Sequence, residues 1–136
     1  MRIIFIRHGK SDYTNDCLTP EGHKQAAATA ERLSTEGVRK IYAGTSRRAQ
    51  QTAAYTARRL GLEVMPLSFM GEISWGGPGI PSGGRPWVLG YRMLQEGFDF
   101  NAYDWRLHPY FAENTVSRSY STVTAKFDKF LHELGY

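Results

Sequence analysis

The sequence predicts an α/β fold with a parallel sheet, and three observations carry that expectation. An unbroken apolar run, Ile3-Ile4-Phe5-Ile6, opens the chain and leads straight into Arg7-His8-Gly9. Strand-like and helix-like stretches then alternate as far as Leu67. The helix-like stretches carry narrow faces of small and apolar residues at three- and four-residue spacing. This alternation favours parallel strands joined by right-handed crossovers.

Taken in order, Ile3 to Ile6 lacks the polar alternation of a half-exposed strand and reads as a central strand buried on both faces. Ligands bind outside the carboxyl ends of such strands, where Arg7, His8 and Gly9 would emerge. Arginine offers a planar fork of donors, neutral histidine a nucleophilic or basic nitrogen, and glycine a close backbone approach. The tripeptide alone suits a solvated loop equally well. After a polar loop from Lys10 to Leu18, Thr19-Pro20-Glu21 announces a helix. Threonine caps, proline fits the first helical position, and glutamate complements the positive end of the dipole. This helix is expected to reach about Thr35, with Ala26, Ala30 and Leu33 inward and Ala27 beside them, and to stop at Gly37. Val38 to Ala43 is a second strand, and Gly44-Thr45-Ser46 turns into a helix containing Arg48, Ala49, Thr52, Ala53, Thr56 and Leu60 and ending at Gly61. Glu63 to Leu67 is the third strand.

Further on, Gly76 to Pro86 is a loop dense in glycine and proline. Trp87 to Glu96 reads as a helix. Phe98 to Phe111 concentrates Phe98, Phe100, Tyr103, Trp105, Tyr110 and Phe111 around His108-Pro109. Those rings suit an aromatic-walled pocket or a secondary core, and the two readings are compatible. Ser117 to Leu134 is a last helix, with Tyr120, Val123, Phe127, Phe130, Leu131 and Leu134 on its apolar face and Gly135 at its end.

Composition narrows the function classes. The chain has 136 residues, enough for one domain. Seventeen basic against thirteen acidic residues give a net charge of +4, a mild bias towards anionic ligands. The basic side chains are dispersed, no nucleic-acid motif is present, and a phosphorylated small molecule or phosphoprotein is the better-supported partner. The single cysteine, Cys17, leaves no internal disulfide framework and suits a cytoplasmic location. No stretch is long enough to span a membrane, no signal peptide is evident, and no membrane partner is expected.

Among the residues that carry chemistry, Glu72 stands alone between Phe69, Met70, Ile73 and Trp75. A carboxyl desolvated by such neighbours holds its proton more readily, which suits a general acid. A glutamate in a glycine-rich loop is otherwise simply solvated.

Three stretches together, Arg7-His8-Gly9, Leu18-Thr19-Pro20-Glu21-Gly22-His23-Lys24-Gln25-Ala26 and Arg48-Ala49-Gln50-Gln51-Thr52-Ala53, resemble the histidine phosphatase superfamily, also called phosphoglycerate mutase-like. The resemblance implies a three-layer α/β/α sandwich with a mostly parallel sheet. It implies His8 as nucleophile, Arg7, Arg48 and Ser11 as phosphate ligands and Glu72 as acid, with no cofactor and no metal. Cationic donors around the equatorial oxygens and a nucleophile in line are what phosphoryl transfer requires. The start of the helix near Arg47 is expected to add its positive end. Departures are Ala43-Gly44 where serines are usual, Lys10 where an acid or glutamine is common, and Thr14, beside Asn15, at a frequent asparagine position. His23 is expected at the surface and Cys17 to pack as a small hydrophobe.

The family pattern also contains a later strand leading to a Ser-His-Gly-like segment, and none of His23, His108 and His132 fits it. The chain is therefore expected to be a piece of a longer protein, incomplete at the C-terminus, or a short form that is inactive or completed by another chain, including a homo-oligomer. The organisation expected is a single domain, residues 1–136, with a substrate-covering insertion at 68–117. The function expected is phosphomonoester hydrolysis through a phosphohistidine on His8, without metal. Alternatives are a phosphate-binding module and a mutase-type phosphotransferase.

Overall fold

Thr19 starts the first helix as its chemistry demands. In the computed structural model, which describes residues 2–72, 87–112 and 115–136, its backbone is extended and its Oγ1 accepts the Gly22 N–H at 3.1 Å. Helix α1 runs Pro20–Leu33 and buries Gly22, Ala26, Ala30 and Leu33. Their small side chains let it pack closely on a second helix, α2, Arg47–Leu60, which answers with buried Thr52, Thr56 and Ala57. Gly61 ends α2 in the left-handed region at φ +64°, where glycine alone is unstrained.

The polar loop before α1 is a hairpin. Strand β1, Ser11–Asp12, pairs antiparallel with β2, Cys17–Leu18. Asp12 Oδ1 accepts the Thr14 and Asn15 N–H groups at 2.9 and 3.3 Å, closing the turn. Strand β3, Ile41–Gly44, lies parallel to β4, Val64–Leu67, in register from Ile41 opposite Val64 to Gly44 opposite Leu67. With α2 between them they form a β-α-β unit, so the mixed α/β class holds. A short 3₁₀ turn, Ser68–Met70, follows β4. Gly44 has no Cβ because one there would fall on the Met70 carbonyl oxygen.

Two departures from expectation bear on the site. The second strand starts at Ile41 rather than Val38, since Arg39 and Lys40 are charged and stay outside the ladder. More important, residues 2–9 carry no strand, and Ile3, Ile4 and Ile6 are 37, 39 and 46% exposed. An apolar run declares a preference for burial but cannot supply the neighbouring backbone that a ladder needs. At its start the run is moored instead by Arg2, whose guanidinium donates to the Glu36 carbonyl oxygen and carboxylate at 2.7 and 2.6 Å.

The chain divides into two compact units, Met1–Glu72 and Ile73–Tyr136. The second contains helices α3, Trp87–Gln95, α4, Pro109–Ala112, and α5, Thr115–Glu133, with a 3₁₀ turn at Trp105–Leu107. Its core is Leu89, Met93, Phe111 and Val116, with Phe98, Trp105 and Tyr110 packed against it. Edge-on ring contacts extend that core: Phe98 to Phe100 at 4.9 Å, Trp105 to Phe111 at 5.1 Å and Trp105 to Tyr120 at 5.2 Å. The aromatic segment thus forms a secondary core. The loop expected at 76–86 lies outside the described residues.

Candidate active site

The first unit gathers its reactive side chains around one histidine and one arginine. His8 Nδ1 lies 2.8 Å from the Gly9 carbonyl oxygen and 3.0 Å from Ser11 Oγ, while Ser11 donates to that same carbonyl at 2.9 Å. A carbonyl oxygen can only accept, so Nδ1 carries the hydrogen, and in the neutral ring the lone pair is then on Nε2. Gly9 is buried, and its N–H donates to Thr52 Oγ1 of α2 at 3.2 Å. A Cβ on Gly9 would strike the Gly22 carbonyl, and one on Gly22 would strike that of Lys10. The backbone carrying His8 is therefore seated directly on the start of α1.

Arg48 sits in the first turn of α2, with its side chain only 13% exposed. Nη1 donates to Asp16 Oδ1 and Nη2 to Glu72 Oε2, each at 2.6 Å. Its Nε is buried and has no hydrogen-bond partner among the described residues. The Tyr13 ring lies 5.3 Å from the Arg48 guanidinium carbon and meets the His8 ring edge-on at 6.1 Å, so one aromatic side chain joins the two halves of the site.

Asp16 also accepts the Arg47 N–H through Oδ2 at 2.7 Å. That amide, and then the Arg48 guanidinium, hold the Asp16 carboxyl below its ordinary range. Ser46, at the capping position of α2, makes no side-chain cap, and the first turn contains no acid. Asp16 does the capping from the hairpin. The helix start expected to receive phosphate is therefore already partnered by a carboxylate, because uncapped amides take the nearest anion.

Of the five residues named from the sequence, four belong to this arrangement: His8 and Ser11 directly, Arg48 and Glu72 as an ion pair, with Tyr13 between the two sets. Arg7 is exposed and enters none of the described hydrogen bonds or ion pairs. Glu72 is not desolvated as expected. It is 66% exposed, because a carboxylate beside a guanidinium gains more as a hydrated ion pair than by burial. Its neighbours Ile73 and Trp75 lie outside the described residues. Asp16 and Tyr13 were missed. The signal for Asp16 was an Arg47-Arg48 pair opening a helix without an acid in its first turn, which calls for a carboxylate from elsewhere.

The remaining polar residues have ordinary roles. Lys10 pairs with Glu21 at 2.5 Å, and its N–H donates to Gln25 Oε1. His23 Nδ1 meets the Tyr55 hydroxyl at 3.0 Å between α1 and α2. Cys17 is a half-buried free thiol. Among the described residues no group of three or more His, Cys, Asp or Glu is placed to hold a metal ion, and no helix is long and apolar enough to cross a membrane.

Residues 3–78 match the profile of the histidine phosphatase superfamily (branch 1). A solved structure titled "Mycobacterial hydrolase 1" is similar at 32% identity over 46% of this chain and 34% of that one, with a TM-score of 0.43. The chain thus spans about a third of that structure's length. None of the curated proteins matches the sequence.

Proposed function

The chain belongs to the histidine phosphatase superfamily, and from that premise we propose that it hydrolyses phosphomonoesters through a phosphohistidine on His8. The observation that carries the reading is the His8 ring itself: Nδ1 is held by the Gly9 carbonyl at 2.8 Å, which leaves Nε2 as the nucleophile. In the first step Glu72 enters released from Arg48 and in its carboxylic acid form, Nε2 bonds to phosphorus, and the ester oxygen leaves with its electron pair and takes the proton from Glu72. In the second, water bonds to phosphorus, the N–P bond breaks, and Glu72 recovers the proton. Arg48, and Arg7 from the exposed loop before His8, neutralise the phosphoryl oxygens, with Ser11 as a further donor. No metal takes part in either step.

The same reading includes the finer architecture: β3 and β4 as part of a mostly parallel sheet in a three-layer sandwich, in one domain. Residues 68–117 are its substrate-covering insertion, a role supported by the ring concentration between Phe98 and Phe111. It also assigns the cytoplasm, on the strength of the lone cysteine.

The deciding experiment is hydrolysis of an activated aryl phosphate in the presence of chelator, with His8→Ala alongside. Turnover is expected in the parent, together with an acid-labile, base-stable phosphoenzyme, and His8→Ala should lose both. Phosphate binding without turnover, unchanged in His8→Ala, would overturn hydrolysis in favour of a binding module.

A further inference from the structure

We propose that Asp16 is the positioning residue of the phosphate clamp, fixing the Arg48 guanidinium to the start of its own helix through one carboxylate. The inference rests on the phosphatase reading for what Arg48 binds, but not for how Arg48 is held.

The argument begins with the two oxygens. Oδ2 takes the backbone N–H of Arg47 and Oδ1 takes Nη1 of Arg48, at 2.7 and 2.6 Å. With both oxygens engaged, the carboxylate cannot rotate, and the guanidinium is indexed to the backbone rather than left to its own flexible stem. Nothing in α2 does this, since Ser46 makes no cap and the first turn has no acid. Asp16 is delivered there by the β1–β2 hairpin, which is docked on α2 by the Leu18 N–H donating to Gln51 Oε1 at 2.8 Å. It is also the sole non-glycine residue with positive φ among the described residues, at +46°. Left-handed backbone persists at a non-glycine residue where its surroundings over-determine it.

The geometry also separates the two carboxylates on Arg48. Asp16 is 40% exposed and anchored at both oxygens, whereas Glu72 is 66% exposed and holds one nitrogen. Asp16 therefore stays while Glu72 turns to the leaving group. Nη2, released as Glu72 turns, is the donor for a phosphoryl oxygen, while the buried Nε–H, unpartnered among the described residues, reports how the guanidinium is held.

The test compares the parent, Asp16→Asn, and Asp16→Asn combined with Ser46→Asp, which supplies a helix cap without a link to Nη1. Four quantities are read: thermal midpoint, the NMR signal of the Arg48 Nε–H identified by its loss in Arg48→Lys, orthovanadate affinity and aryl phosphate turnover. Asp16→Asn should weaken vanadate binding and kcat/KM by roughly 10- to 100-fold and broaden the Arg48 signal. Adding Ser46→Asp should restore the midpoint but neither the affinity nor the signal. A variant that loses only thermal stability would reduce Asp16 to a cap, and tighter vanadate binding would make it a competitor for the phosphate position. Either result overturns the proposal. A parent with neither turnover nor vanadate affinity overturns the phosphatase reading instead, and the Arg48 signal still decides the role of Asp16.

Discussion

Glu72 has one observed role, as the partner of Arg48 Nη2, and one proposed role, as the acid that protonates the leaving oxygen. Substitution separates them. Glu72→Gln keeps the shape but delivers no proton, so hydrolysis of alkyl phosphates should fall by roughly 10²- to 10⁴-fold, and activated aryl phosphates much less. Equal losses on both, read from paired kcat/KM values, would leave Glu72 only the role of holding Arg48. Arg48→Lys should be costly too, since an ammonium cannot span Asp16 and Glu72 and still offer a donor to phosphate. His8, Arg48 and Glu72 could be named as candidates because the proposed chemistry needs those residue types at the ends of particular elements, and Tyr13 and the Arg48–Glu72 ion pair link the three in the structure. Asp16 was not, because its partners are 31 and 32 residues away and reach it only through the hairpin's left-handed turn. The desolvation expected at Glu72 failed for a related reason: apolar neighbours in sequence do not say which cation lies across the loop.

Helix α1 shows where an element-level rule gives the wrong answer. Alanine is a better helix former than glycine by about 1 kcal/mol, so Gly22→Ala looks stabilising on propensity alone. The added Cβ would fall on the Lys10 carbonyl oxygen, and rigid backbone is what must yield. The variant is expected to lose about 1–3 kcal/mol, read as a lower denaturation midpoint, and to lower turnover as well because the shifted segment adjoins His8. Capping and stopping signals made α1 and α2 readable almost to the residue, since Thr19, Pro20 and Gly61 act locally. Strands were read less well. β3 and β4 need each other, and the run at 3–6 needs a partner that no local pattern names.

At the scale of the molecule, the acid-range stability draws on four carboxyls among the described residues that are held below their ordinary range. Hydrogen bonds lower them: Asn15 to Asp12, the Arg47 amide to Asp16, Arg2 and then Arg32 to Glu36, and Arg106 to Asp104. Each binds protons more weakly folded than unfolded, so its contribution is full above the ordinary carboxylate value and lost as pH falls through the lower folded value. The thermal midpoint should therefore rise with pH up to roughly pH 5 and level off above it, and Glu36→Gln should flatten that slope. A slope unaltered in Glu36→Gln would remove Arg2 and Arg32 from the account. The apolar run at 3–6 has a consequence of a different kind. Four consecutive β-prone side chains, without proline and partly open to water, form an adhesive template for other chains at high concentration. Arg2 and Arg7 flank it as charged gatekeepers, and Arg2 is paired with Glu36, a carboxylate it shares with Arg32. Colloidal behaviour should be governed there: Ile4→Lys is expected to raise the concentration at which light scattering first reports aggregates.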